Sequence, residues 1–163
     1  MRLIYLVAIA RGLNSAANRK SCVASRPITS YIFVSTVTPG IDQGDFLAIK
    51  NDAIENSRNS AITGLLACNG LNFMQCIEGD RAVLNVLMHR IWQDNRHNGV
   101  TIVDEREART RQFAQLHVVG RFWSAQQGFE RADLSEILAG ETVSSVARTM
   151  FQSFNSLGIK KDG

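Results

Sequence analysis

Residues 62–80, ITGLLACNGLNFMQCIEGD, hold the feature that most limits how this chain can fold. Two apolar runs of strand length flank Asn69-Gly70, a dipeptide suited to the positive φ angles of a tight hairpin turn. Residues 61–67 and 71–77 therefore read as antiparallel neighbours. Glu78-Gly79-Asp80 then turns the chain into a helix, with Asp80 as its N-cap. Within the second run, alternation puts Phe73, Gln75 and Ile77 on one face. Gln75 interrupts an otherwise apolar strand, and a buried amide must find polar partners. This hairpin is the expected centre of a domain that senses or binds rather than catalyses.

The remaining elements assemble around it. Residues 29–37, TSYIFVSTV, are rich in β-branched and aromatic side chains and read as a first strand, ended by Thr38-Pro39-Gly40. Residues 42–57 read as a helix with Phe46, Leu47, Ile49, Ala53 and Ile54 as a rough apolar face, followed by a polar break at 57–60. After Asp80, the stripe of Val83, Leu84, Leu87, Met88 and Ile91 marks a second helix. It is expected to run to Arg96-His97-Asn98 and to stop at Gly99. Residues 100–103 read as a fourth strand and 113–119 as a fifth, with Asp104-Glu105 in a solvated, charge-rich loop between them. The order β-α-β-β-α-β-β predicts an α+β, ferredoxin-like sheet with two helices on one face. Residues 134–138 and 143–154 are expected to add short C-terminal helices on either side of Gly140. The expected division is a basic leader or linker at 1–28, a domain at 29–125 and a helical cap with a frayed tail at 126–163.

Charge narrows the function. The chain has 163 residues and a net charge of +3, but Arg2, Arg11, Arg19, Lys20 and Arg26 all precede residue 42, where there is no acid. Without those five, 13 basic residues face 15 acidic ones. The core is mildly acidic, and no face suited to tracking nucleic-acid phosphates is indicated. Cys22, Cys68 and Cys76 are odd in number and form no CxxC, which argues against a disulfide framework or a zinc site. They suit a reducing cytoplasm. The opening residues faintly resemble a signal peptide, but the apolar run is short and broken by Arg11. No apolar run approaches the ~18 residues of a membrane span.

Motifs for catalysis are absent. There is no phosphate-loop or dinucleotide fingerprint, and His89 and His97 lie eight residues apart rather than in an HExxH pair. No serine or cysteine sits in a recognisable nucleophile motif. The first strand is not followed by an arginine-rich loop that would hold a phosphate. The chain is expected to be no enzyme and to hold no metal.

Four pieces in order carry more information: a strand ending F-V-S at Phe33–Ser35, N-S-x-x-x-A-I-T-G-L-L from Asn56, F-M-Q-C-I-E-G from Phe73, and H-R-I-x-x-D-N-R-H from His89. With these spacings the sequence resembles the BLUF family, flavin-binding blue-light sensors of ferredoxin-like fold, over roughly residues 29–120. The resemblance implies FAD between the two helices, its ring over the sheet. It places Asn56 and Ser57 at the end of the first helix beside the ring and makes Gln75 the switching glutamine. It also assigns Arg90, Asp94, Arg96 and His97 to polar positions of the second helix facing ring, ribityl chain or phosphates. These types suit the ligand: a flavin edge needs amide-like donors and acceptors, and a pyrophosphate favours Arg or His.

The departures fall on the light-driven relay. The resemblance implies a tyrosine at position 33, supplying an electron and then a proton to the flavin while the Gln75 amide rearranges. Phe33 has no hydroxyl for either the proton or a bond to Gln75. Tyr31 shares the strand face but lies two residues away, and Tyr5 lies far too early. Ser57 stands where an Asn is usual, Leu116 where many members carry Trp, and Val118 where they carry Met. The expectation is a FAD-binding photoreceptor with altered or lost photochemistry. It would signal through the fifth strand and C-terminal helices to a partner protein, with self-association left open. The alternative is a flavin-free or light-blind interaction module on the same fold.

Overall fold

In the computed structural model, residues 27–120, 134–140 and 142–157 are described. Their elements are β1 (Ile28–Val37), α1 (Gln43–Ser60), β2 (Thr63–Cys68), β3 (Asn72–Gly79), α2 (Arg81–Gln93), β4 (His97–Ala108), β5 (Leu116–Gly120), α3 (Leu134–Ala139) and α4 (Ser145–Ser156). One sheet has the order β4-β1-β3-β2-β5. β5 runs parallel to β2, and the other neighbours are antiparallel. This is the expected ferredoxin-like arrangement with one strand added. Residues 1–26 of the proposed leader, Tyr5, Cys22 and the extreme tail lie outside the described residues, and Ile28, assigned to the leader, already opens β1.

Local chemistry explains the boundaries. Asp42 and Asp45 form a reciprocal capping box that starts α1. The helix does not stop at the polar break but runs through Ser60. Ala61 closes it in the left-handed conformation, at φ 50°, and the Arg111 guanidinium donates to the Ala61 carbonyl at 2.7 Å. A cation from elsewhere in the chain thus completes the helix end. Asp80 caps α2 as expected, accepting from the Ala82 N–H at 2.9 Å.

α2 ends at Gln93, earlier than the expected stop at Gly99. The Asp94 carboxylate turns back to accept both the Arg96 N–H and its guanidinium, which closes a turn and competes with further helix. Of the four polar positions assigned to the second helix, only Arg90 lies within it. Asp94 is the C-cap, Arg96 lies in the turn, and His97 opens β4. Gly99, at φ 64°, sits where the β1–β4 register slips between Val34 and Thr36. It is a bulge glycine rather than a helix stop.

β4 is also far longer than residues 100–103. Asp104 and Glu105 belong to it rather than to a loop. As an edge strand its charges are paired locally: Arg81 reaches Glu105 and Glu107, and Arg106 holds Asp104 at 2.7 Å. Charged edges discourage pairing with another sheet. β5 starts at Leu116, not at 113, because the Phe113 N–H donates to the Glu78 carboxylate instead of a neighbouring strand.

The sheet is buried on both sides. Tyr31, Phe33 and Ile77 pack under α2 residues Leu84 and Met88, while Leu66, Cys68 and Phe73 pack under α1 residues Phe46 and Ile49. Ile32, Leu65, Ala67, Met74 and Cys76 face the other way and pack against Leu138 of α3 and Ala147, Phe151 and Phe154 of α4. α1 and α2 therefore share one face, as expected. Burial pushes the Cys68 thiol up to about 11 and Cys76 to about 12, so both act as small core groups. Among the described residues, no helix is long and apolar enough to cross a membrane.

Candidate functional site

Strand register builds the site. Phe33 of β1 lies opposite Gln75 of β3, Gln75 opposite Leu66 of β2, and Leu66 opposite Val118 of β5. Side chains directly opposite in a ladder share a face, so these four form one rung across the sheet. Phe33 belongs to the cluster under α2 and Leu66 to the cluster under α1. Gln75 lies between them, at the seam of the two helices.

Gln75 is 7% exposed, yet no hydrogen bond to its side-chain amide occurs among the described residues. Phe33 beside it is fully buried. No fully buried side-chain nitrogen or oxygen among the described residues lacks a partner, so the Gln75 amide keeps contact with solvent and is open to a ligand's donors and acceptors. Tyr31, one rung further on, is no substitute for the missing hydroxyl. It pairs with Ile77, and its OH donates to Asn85 Oδ1 of α2 at 2.9 Å.

α1 supplies one wall of the seam. Phe46, Ile49, Ala53 and Asn56 repeat at helical spacing, so the half-buried Asn56 continues the face that packs on the sheet. The Ser57 hydroxyl points elsewhere, donating to the Ile62 carbonyl at 2.5 Å. It helps close the helix end and leaves no amide at this position.

The other end of the seam is polar. His97 Nδ1 lies 2.8 Å from Ser35 Oγ, and its ring packs against Phe73 at 4.7 Å between centroids. Arg96 binds both oxygens of Asp94 and reaches Asp52 of α1 at 2.8 Å. It thereby ties α1 to the turn after α2. Burial would raise the Asp94 carboxyl, but the bonds and charge of Arg96 outweigh it and hold the group below its ordinary range. The structure thus gathers Phe33, Gln75, Asn56, Arg96, Asp94 and His97 along the seam. Arg90 is exposed on α2, and Leu116 pairs with Gly64, one rung from Val118. Asp52 and Asn85, which complete these pairings, were not marked by the sequence, since a polar residue on a helix carries no sign of its distant partner.

Burial lowers the His97 imidazole below its ordinary value of 6.5, with Asp94 opposing and Arg96 reinforcing the shift. The unfolded chain therefore takes up the proton first as pH falls. Stability is full above about pH 6.5 and declines below it until the folded imidazole is protonated too. His97→Gln is expected to flatten the fall in unfolding free energy between about pH 7 and 5, measured by urea melts. An unchanged slope would assign the effect elsewhere, His117 being lowered by burial as well.

Comparison with known proteins agrees with this architecture. A family model, BLUF, described as sensors of blue-light using FAD, matches residues 28–119. The chain is 38% identical over 85 residues to the photoactivated adenylate cyclase subunit beta of Euglena gracilis, a match covering 51% of this chain and 10% of that protein. Klebsiella pneumoniae BlrP1, solved with FMN and cyclic diGMP, matches 80% of this chain and 35% of its own at 26% identity and a TM-score of 0.64. The dark-state structure of the BLUF protein BlrB matches 78% of this chain and 97% of its own at 28% identity and a TM-score of 0.58. The chain spans only a small part of the cyclase subunit and about a third of BlrP1. Since the family model covers more than half of the chain, including β1 to β4, β5 but for its last residue and both helices of the seam, this protein belongs to the BLUF family of flavin-using blue-light sensors.

Proposed function

We propose that this chain is a FAD-binding BLUF domain whose light response departs from the family pattern. One observation carries the reading: the Gln75 amide lies on the sheet beneath the helix seam, within reach of solvent and with no hydrogen-bond partner among the described residues. A flavin ring edge is the complement of such an amide, offering both donors and acceptors. Asn56 on α1 and the Ser35–His97 pair at the far end would flank the ring. Bound flavin supplies absorption of blue light. Phe33 lies opposite Gln75 but has no hydroxyl proton, so it orients nothing by hydrogen bonding and cannot give or return one. Output would pass through β5 and the C-terminal helices to a partner protein in the cytoplasm.

A specific observation favours the second reading, a flavin-free or light-blind interaction module. The Arg96 guanidinium is already held by Asp52 and Asp94 and the Ser57 hydroxyl by Ile62, so two groups expected to meet the cofactor are satisfied without it. The visible spectrum separates the readings. The purified chain incubated with FAD is expected to be yellow and to lack the family's reversible red shift after blue light. A chain that stays colourless would sink the flavin reading. A full red shift would overturn the role given to Phe33.

A further inference from the structure

The face of the sheet opposite Gln75 carries a polar connection that the flavin reading does not use. Gln112, in the loop between β4 and β5, is 7% exposed and engages three elements at once. Its N–H donates to both Glu78 oxygens of β3 at 2.9 and 3.0 Å. Its Nε2 donates to Ser30 Oγ of β1 at 3.3 Å. Its Oε1 accepts the Ser144 N–H at 2.9 Å, and its carbonyl accepts Thr142 Oγ1 at 2.8 Å. Ser144 is the N-cap of α4.

The orientation of the Gln112 amide is set by the network. A backbone N–H can only donate, so Ser144 fixes Oε1 towards α4 and Nε2 towards Ser30. Ser30 Oγ accepts from Gln112 and lies 3.5 Å from Cys76 Sγ, a pair in which either group can donate. Cys76 follows Gln75 on the same strand, and Ser30 pairs directly with Glu78. β3 is hydrogen-bonded on both sides, so a change at Gln75 cannot be absorbed at a free edge. Meanwhile the side chains of Leu116 and Val118 have no group that could hydrogen-bond the Gln75 amide.

We propose that Gln112 is the positioning residue that couples β3 to α4, so that the state of Gln75 is read out at the C-terminal helix through the Cys76–Ser30–Gln112–Ser144 connection. It rests on the reading of Gln75 as the sensing position. A tight network of this kind couples its members more strongly than separate contacts would.

Hydrogen exchange of the α4 amides in the full chain tests it, using wild type, Gln75→Leu, Gln112→Met and the double variant. Gln75→Leu is expected to change α4 exchange by about threefold or more in the wild-type background and by little when Gln112 is Met. A residue that merely supported α4 would shift exchange by the same factor in both backgrounds. Additive effects, or no effect of Gln75→Leu on α4, would overturn the proposal. Ser30→Ala cuts the same connection at its sheet end and leaves the Ser144 bond intact, so it provides the same test if Gln112→Met does not fold. Coupling that survives Ser30→Ala in full also counts against it. A parallel titration with FAD, read by absorbance, reports flavin binding independently. Loss of that signal with intact coupling would remove the flavin reading and leave this one standing.

Discussion

Gly64→Ala is expected to destabilise the domain by at least about 4 kcal/mol, enough to leave much of it unfolded at room temperature. Gly64 lies within β2 at φ 151°, and a Cβ built there would stand 1.9 Å from the Cys76 carbonyl oxygen and 2.9 Å from its carbon. Both atoms are backbone of β3, the strand paired with β2, so no side-chain rotation relieves the clash. The two strands would have to part where Gly64 pairs with Ile77, one rung from Gln75. Gly99→Ala is the control. It also has a positive φ, 64°, but nothing lies within 4 Å of its added Cβ. Only the conformational term applies there, about 1–2 kcal/mol. Urea melts of the two variants separate sterics from backbone preference. If Gly64→Ala fell within about 1 kcal/mol of Gly99→Ala, the close approach would not be what reserves this position for glycine.

That glycine shows how unevenly the fold was legible. The hairpin itself was plain from Asn69-Gly70 and the runs around it, because turn chemistry and strand composition are local. In the structure Asn69 Oδ1 accepts the N–H groups of Leu71 and Asn72, which is the local bonding that marks such turns. Gly64 lay inside a run read correctly as a strand, but its reason is a carbonyl twelve residues away, which no local pattern encodes. β4 reads short from sequence for a related reason. Exposed and half-buried positions alternate along this edge, and the charged residues at both, Asp104 to Glu107, find partners in Arg81 and in each other inside a strand. Glu78 reads from sequence as part of a turn, although alternation from Gln75 through Ile77 leaves it, with Cys76, on the opposite face. Its full burial is stabilised by backbone N–H groups of residues 112 and 113.

The candidate site divides the same way. The facing of Phe73, Gln75 and Ile77 followed from period two, and the opposition of Phe33 and Gln75 agrees with the register that the family resemblance implied. The positions after α2 did not follow, because the Asp94–Arg96 turn ends the helix a full turn before the glycine that looked like its stop. Arg96 was expected to meet a ligand. It instead joins two carboxylates from different elements, which the sequence places 44 and 2 residues away.

Phe33→Tyr is expected to convert a flavin-loaded chain without the reversible red shift into one that shows it. The argument is local. Phe33 is fully buried opposite Gln75, so the ring already occupies the place a tyrosine ring would take, and the substitution adds only one hydroxyl. A buried hydroxyl without a partner would cost about 1–3 kcal/mol, but the neighbouring Gln75 amide has no bond among the described residues and can supply one. The hydrogen bond should therefore form, and urea melts should place the variant within about 1 kcal/mol of wild type. Ser57→Asn adds the second missing group. Its amide has two N–H donors and an acceptor, so one donor can keep the Ile62 carbonyl while the rest of the group faces the seam. Absorbance spectra in the dark and after blue light are the measurement, for the single and the paired substitution. A response from the pair but not from Phe33→Tyr alone would make Ser57 the second limiting position. If flavin is bound and neither protein responds, the defect lies at Leu116 and Val118, the positions on β5 that pair with Gly64 and Leu66, and the loss of the tyrosine is not what makes this domain depart from its family.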